Sequence, residues 1–500
     1  MRKLILILLA LISTNAYANY STPGSGVSWT LTDLVSNSGG VVTFLGGEYF
    51  LNDTLTISQS DTLKITSNGT FKFAASTYID VFGVMKVTPP DSFKITAIDT
   101  NLKYFGLKFN EFSDPSVLKK VIMEYGNSIW LLSSNITIDS SIIRFNTFTT
   151  SFGSGAIALS NSSPIVSNSR IYRNRRPAMI SSGNGSSAPK ILNNLIYENN
   201  SDNVNQSQLN FGGTGIDTVL IQNNTIRGFF TNAGGIAFFP IGPPANVVIE
   251  NNVIVHNRYG ITLTNANIHA VINNNRIDSN NIETNPNMGG SGINFNGNSS
   301  IVAIVSNNLI RGNLWGVTIQ GTAKPNLGNL DNVSTLDDGG NHIYGNGNSG
   351  QIYDLYNNTP DSIKAENNYW GTGILDSVEA HIFHKPDNPA LGFVDYLPIE
   401  SPMSTTNSSN EIIQSYYLYD SYPNPFNPVS TVKFSIPSAG LVSLKIYNLA
   451  GKEIVQLINS NMAPGTYEIQ WNASAHPSGV YFVRLQTDAV TLTKKMILAK

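Results

Sequence analysis

The chain has 500 residues, enough for more than one domain, and only 13% of them are charged against a typical quarter, so Asn, Ser, Thr and Gly must carry its surface. Thirty basic residues against 33 acidic ones leave a net charge of −3, which gives no reason to expect nucleic acid or an anionic membrane surface as partner. Cysteine is absent, which excludes disulfides and thiolate metal sites, so a fold exposed to an oxidising compartment must rely on its ladder hydrogen bonds.

Residues 1–18 have the layout of a bacterial secretion signal: basic Arg2 and Lys3, an apolar stretch from Leu4 to Ile12, and the small-x-small site Ala16-Tyr17-Ala18. Cleavage after Ala18 starts the mature chain at Asn19. The apolar run is too short to span a bilayer, and no other stretch approaches the length of a membrane-spanning segment. Next, Trp29 to Val35 reads as a short amphipathic helix or turn, followed by strands at Val41 to Phe44, Tyr49 to Leu51 and Leu55 to Ile57. This order resembles the amino-terminal cap of extracellular right-handed β-helix proteins, in which a Leu-x-x-Leu segment covers the first open coil just before a Val-Thr-Phe strand. An uncovered coil would expose both an apolar core and unpaired strand edges. From Asp61 to Ile138 the pattern is less regular and carries the few charged clusters.

A repeat then takes over. Asn-Asn-x-Ile-x-x-Asn, followed a few residues later by Gly-Ile or Gly-Val, is clearest at Asn193, Asn223, Asn251, Asn274 and Asn307, with looser copies at Ser140, Asn168, Gly340 and Asn367. Successive starts lie 23 to 33 residues apart, the period of one turn of a three-sided β-helix with loops of variable length. Segments such as Val247-Val248-Ile249 and Ile293-Asn294-Phe295 alternate side chains into and out of a narrow core. Asn tolerates the left-handed backbone of a sharp corner, and its amide can donate and accept along the stack. Gly260, Gly292 and Gly316 read as permitting a second corner. At about 4.8 Å per coil, some 13 coils up to Pro398 make a rod on the order of 60 Å long. Asn367-Asn368-Tyr369-Trp370-Gly371 and Gly392 to Pro398 are similar to the way the same family closes its array. Residues 19–398 are therefore expected to be a β-helix with its cap, and 399–415, rich in Ser, Thr and Asn, a solvated linker.

The remaining residues, 416–500, change pattern. Tyr422-Pro423-Asn424-Pro425-Phe426-Asn427-Pro428 opens a series of strands at sandwich spacing: Val432 to Ile436, Val442 to Tyr447, Tyr467 to Trp471, Val480 to Leu485 and Leu492 to Leu498. With Ile446 to Lys452, Pro464-Gly465-Thr466-Tyr467, Ser478-Gly479-Val480-Tyr481 and the closing Lys494-Lys495-Met496-Ile497-Leu498, the segment resembles the type A C-terminal sorting domain of the bacterial type IX secretion system. The resemblance implies an all-β chain of two parts, with an immunoglobulin-like sandwich as the address and the β-helix as cargo. It also implies the type IX machinery as partner, transit through the periplasm, and a secreted or cell-surface destination.

A search for chemistry in the cargo finds no complete catalytic constellation, no metal-ligand set and no cofactor motif. Polygalacturonase-like hydrolysis needs Asn-Thr-Asp, Asp-Asp, Gly-His-Gly and Arg-Ile-Lys on adjacent coils, because acid and base work needs paired carboxylates. Asp337-Asp338 lacks the rest and reads as a solvated turn. Lyase chemistry needs a Ca²⁺ nest of carboxylates beside an arginine base, and Arg173 to Pro177 has no such cluster, so it reads as a solvated loop. His381 and His384 with Glu379 and Asp387 lack a third ligand at a recognisable spacing. His256 and His342 fall in repeats and read as outward-facing. The residue after each inward Ile should also face outward, which puts Arg144, Tyr172, Tyr197, Arg227, Val255, Asp278, Arg311 and Tyr344 in one column. Tyrosine faces can stack on sugars and Arg can pair with carboxylate or sulfate, so Arg144, Tyr172, Tyr197, Arg227 and Arg311 are candidate glycan contacts. A non-catalytic adhesion or glycan-binding rod is the expectation. A polysaccharide lyase or glycoside hydrolase is the alternative, and an outward cluster of two carboxylates and one Lys or Arg on neighbouring coils would favour it.

Overall fold

Alternation of aliphatic and small polar residues produces short strands that stack coil upon coil. The computed structural model describes residues 19–146 and 154–400 and, between 416 and 499, all but 420, 422, 438, 439, 463, 464, 488 and 489; the secretion signal lies outside the described residues. The chain divides into two compact units, 1–402 and 403–500.

The first unit is a three-sided helix of parallel strands, in sheets of 14, 13 and 12 strands. In the regular coils each turn contributes one strand to each sheet, so strand partners come from the next coil; the exceptions are two antiparallel hairpins, Val42–Leu45 with Glu48–Leu51 at the amino-terminal end and Gly347–Asn348 with Gln351–Ile352. In the 13-stranded sheet Ile143, Ile171, Ile196, Ile226, Ile254, Ile277, Ile310 and Ile343 stack in one fully buried column. Val166, Ile191, Ile221, Ile249, Ile272 and Val305 do the same from the 12-stranded sheet. Phe211, Phe238, Leu263, Phe295 and Ile319 fill the core from the 14-stranded sheet. Each such side chain stabilises the coil by about 1.5–3 kcal/mol through burial.

Both short corners are built alike, from a residue with left-handed backbone followed by a buried amide. At the first corner Asn193, Asn223, Asn251, Asn274, Asn307 and Asn367 have φ between 56° and 60°. The next residue joins a ladder in which Asn194, Asn224, Asn252, Asn275, Asn308 and Asn341 each donate to the Oδ1 of the one above, ending at Asn368. A second ladder runs through Asn146, Asn174 and Asn199, then Asn257, Asn280, Asn313 and Asn346. Where Gly228 breaks it, Gln208 reaches in from the neighbouring strand, taking a hydrogen bond from Asn199 and giving one to Asn257. The left-handed residues at this corner are Phe145, Arg173, Glu198, His256, Ser279, Gly312 and Gly345. Gly260, Gly292 and Gly316 therefore do not make the turn. They form a column where the chain enters the 14-stranded sheet, and a Cβ on Gly292 would sit 2.7 Å from the Gly316 carbonyl oxygen and 2.8 Å from Ile310.

The amino-terminal end is closed by the helix Leu31–Asn37, whose Leu31 and Leu34 are buried. Thr30 and Asp33 cap it reciprocally. Asp61, fully buried, accepts hydrogen bonds from the amides of Gly24, Gly26 and Val27 and so anchors the incoming strand. At the other end Trp370, Val378 and Tyr396 are buried in the same core, and the ordered ladder of bonds continues to Glu400, whose amide donates to Asn368.

The second unit packs two antiparallel sheets. One contains Tyr417–Leu418, Val429–Ile436 and Gly465–Asn472; the other contains Glu453–Met462, Gly440–Asn448, Gly479–Gln486 and Thr491–Leu498. Their core holds Phe426, Val432, Phe434, Leu444, Ile446, Trp471, Val483, Leu485, Met496 and Leu498.

Candidate functional site

Because the corners fix register, the residue after each buried Ile is brought directly beside its counterpart, although Tyr172 and Asp278 are buried by their neighbours instead of facing solvent as expected. Glu124, Arg144, Tyr172, Tyr197, Arg227, Val255, Asp278, Arg311 and Tyr344 stand in one unbroken column on the 13-stranded sheet. Glu124 is not visible as part of this column in the sequence, because its coil lacks the repeat. Its buried carboxylate takes Lys94 at 2.5 Å and Arg144 at 2.7 Å. Burial pushes that carboxyl up, but the hydrogen bonds and charges of Lys94 and Arg144 outweigh it and hold the group below the ordinary range. Arg144 also donates to the Tyr172 hydroxyl at 2.9 Å, and Tyr172 stacks on Tyr197 with centroids 4.7 Å apart and planes 7° from parallel. Arg170 lies over the Tyr172 ring and reaches the Tyr197 hydroxyl. Tyr125 and Phe145 prolong the aromatic run. Farther along, Arg311 pairs with Asp278 at 3.1 Å and approaches Tyr344 at 3.4 Å. Arg227 is exposed and has no side-chain partner among the described residues. Around the tyrosine stack Lys94, Arg144, Arg170, Arg173 and Arg227 face Glu124 and Glu198, an excess of three positive charges.

The other sequence candidates are tied into the frame. Arg173 pairs with Glu198, while Arg175 and Arg176 grip Asp202, and Arg176 is only 7% exposed rather than solvated. Asp337 is buried as well, accepting from Asn326 and Asn332, so it staples its loop instead of forming a solvated turn. His384 is buried. Its Nδ1 accepts from the Val394 amide and its Nε2 faces Glu379, which leaves neither nitrogen for a metal. His381 is paired with Asp354, and His256 and His342 are exposed. Tyr396 donates to Glu379; burial and that carboxylate push its phenol up to about 12.

A carboxylate cluster with one lysine does exist. Lys364 lies 2.5 Å from Asp331, 2.6 Å from Glu366 and 2.8 Å from Asp395, residues that the sequence scatters over 65 positions. Its three hydrogen bonds hold the ammonium protonated well above the usual lysine range, the reverse of what a base requires. Glu366 also accepts from the Leu330 amide, so the cluster clamps the 329–338 loop to the closing coils.

In the second unit the opening motif meets the closing strand. Asn424 donates to the Lys495 carbonyl and accepts from the Ile497 amide, Phe426 is buried against Trp471, and its amide donates to Ile497. Tyr481 also packs on Trp471 and donates to Pro477, while Tyr467 stacks on Phe434. Gly465 and Gly479 begin strands, Pro423 and Pro425 stand in the exposed opening loop, Lys495 is exposed and Lys494 half-buried. Residues 420–499 match the family model of the secretion system C-terminal sorting domain, and residues 100–217 that of the right handed beta helix region. The chain is a right-handed β-helix with a secretion sorting tail. The sorting domain implies interaction with the type IX machinery and export, in keeping with a secreted or cell-surface protein. No helix among the described residues is long and apolar enough to cross a membrane. No curated protein matches the chain.

Proposed function

We propose that the β-helix is a non-catalytic, glycan-binding cargo of the type IX system, which contacts acidic polysaccharide along the Arg144–Tyr172–Tyr197–Arg227 column. The observation that carries this reading is the local excess of positive charge around a stacked tyrosine pair, with Arg227 exposed and unpaired at its edge. Arg311, bound to Asp278, contributes to the same column farther along the rod. Cleavage of acidic polysaccharide is the second reading, favoured by the Lys364 cluster. One incubation of the mature chain with uronic-acid polysaccharides separates them. Retention without new reducing or unsaturated ends, weakened about tenfold by Arg227→Ala or Tyr197→Ala, supports binding. Chain shortening that disappears in Glu366→Gln supports cleavage.

A further inference from the structure

The 14-stranded sheet carries a second, chemically different face. Over the strands Ile261–Asn265, Ser291–Gly297, Trp315–Gly321 and Leu355–Asn358, two columns of non-core side chains run in register, with Thr262 and Thr318 of the first column buried beneath their neighbours. One runs Thr262, Asn294, Thr318, Tyr356 and then Phe383; the other, two residues along each strand, runs Thr264, Asn296, Gln320 and Asn358. None of these side chains is charged at neutral pH. In the first column Thr318 donates to Asn294 and Asn294 to Thr262, both at 2.8 Å, which makes a fixed floor. That floor ends in a cluster of half-buried rings: Trp315 lies 4.6 Å from Tyr353 and 5.0 Å from Tyr356, and Tyr356 stacks on Phe383 at 4.8 Å and 11°. The Pro286 carbonyl holds the indole N–H at 2.9 Å, so the indole is positioned before any ligand arrives. In the second column the amides of Asn296, Gln320 and Asn358 have no hydrogen-bond partner among the described residues, and Asn296 and Asn358 are exposed.

Rings of this kind stack on the apolar faces of sugars, free amides both donate to and accept from hydroxyls, and the lack of charge offers nothing to a uronate or sulfate. The geometry points to a binding site for a neutral, hydroxyl-rich glycan laid along the coils from Thr264 to Phe383. It lies on a different sheet from the arginine column and goes beyond the acidic-glycan reading.

Affinity electrophoresis of the mature full chain, through gels containing a soluble neutral β-glucan or a mannan and through gels containing polygalacturonate, tests it. The expected result is retardation by a neutral polymer that persists at high salt, since no ion pair is involved. Trp315→Ala and Tyr356→Ala should weaken it about tenfold, and the surface changes Gln320→Ala and Asn358→Ala, which leave the core intact, severalfold. Arg227→Ala should leave it unchanged while reducing retardation by polygalacturonate, so the two readings fail separately. The proposal is overturned if neither neutral polymer retards the chain, if all four variants at this face behave as the parent, or if salt or Arg227→Ala abolishes the effect.

Discussion

Asn275 makes every hydrogen bond its side chain can offer. Its Oδ1 accepts from the amide and side chain of Asn252, and its Nδ2 serves Ile249, Asn273 and Asn308. Asn275→Ala orphans these groups in a dry interior, where each costs about 1–3 kcal/mol, so thermal unfolding should shift down by several degrees. The second ladder ends differently, in Asp354, which accepts from Asn346 through Oδ1 and faces His381 at 3.0 Å through Oδ2. Burial raises the Asp354 carboxyl above its ordinary value despite the hydrogen bonds from His381 and Asn346, and the Asp354 partner raises the His381 imidazole above 6.5. Two raised values have the same sign. The contribution of His381 is complete below 6.5 and is lost as pH climbs through its raised folded value, and that of Asp354 is lost on the same rise, starting lower. Hydrogen exchange in residues 346–383 should therefore speed up between mildly acidic and alkaline pH beyond the intrinsic rate change. Asp354→Asn, which can extend the amide ladder without a charge, should flatten that dependence.

At the scale of elements, the two ends are sealed by different means. Three backbone amides and the Thr22 hydroxyl converge on Asp61, and although burial pushes its carboxyl up, these bonds outweigh it and leave it below the ordinary value. A depressed value has the opposite sign from the pair at the far end. Its stabilisation is present above about 3.8 and is lost as pH falls through the folded value. Exchange at residues 20–29 should rise on acidification before that of the central coils does, and Asp61→Asn should show the same loosening already at neutral pH. Equal protection of both regions down to strong acid would contradict this. The Asn-pair corners follow from local chemistry: Asn tolerates a left-handed backbone, and Ser140, Asn168 and Gly340 take the same position where the Asn pair is imperfect, whereas at the other corner Phe145, Arg173 and Glu198 are held left-handed by the register of the stacked coils.

At the scale of the whole molecule, the rod and the tail have separate hydrophobic cores that share no residue. Truncation after Pro402 should therefore leave the β-helix with its parent melting transition while removing the sorting information. The truncated protein is expected to accumulate in the periplasm, measured by fractionation. Its normal appearance outside the cell would contradict the role of the sorting domain. Solenoid stability is a sum of coil and interface terms, so the tail is not needed to complete the core.

The β-helix, its inward Ile column, the Asn corners and the sorting tail were all legible in the sequence, because each is written within a few consecutive residues by backbone preference and alternation. The register of the column from Arg144 to Tyr344 was legible for the same reason, since it keeps a constant offset from the corner, but the burial of Tyr172 and Asp278 within it was not. What sits beside that column was not. Coil lengths between 23 and 33 residues leave open which loop residue meets which strand. The pairing of Glu124 with Lys94 and Arg144, the substitution of Gln208 for a missing asparagine, the closure of three carboxylates on Lys364 and the ring cluster from Trp315 to Phe383 were decided only by the tertiary structure. Each depends on the register between coils, which loops of unequal length conceal in a linear reading.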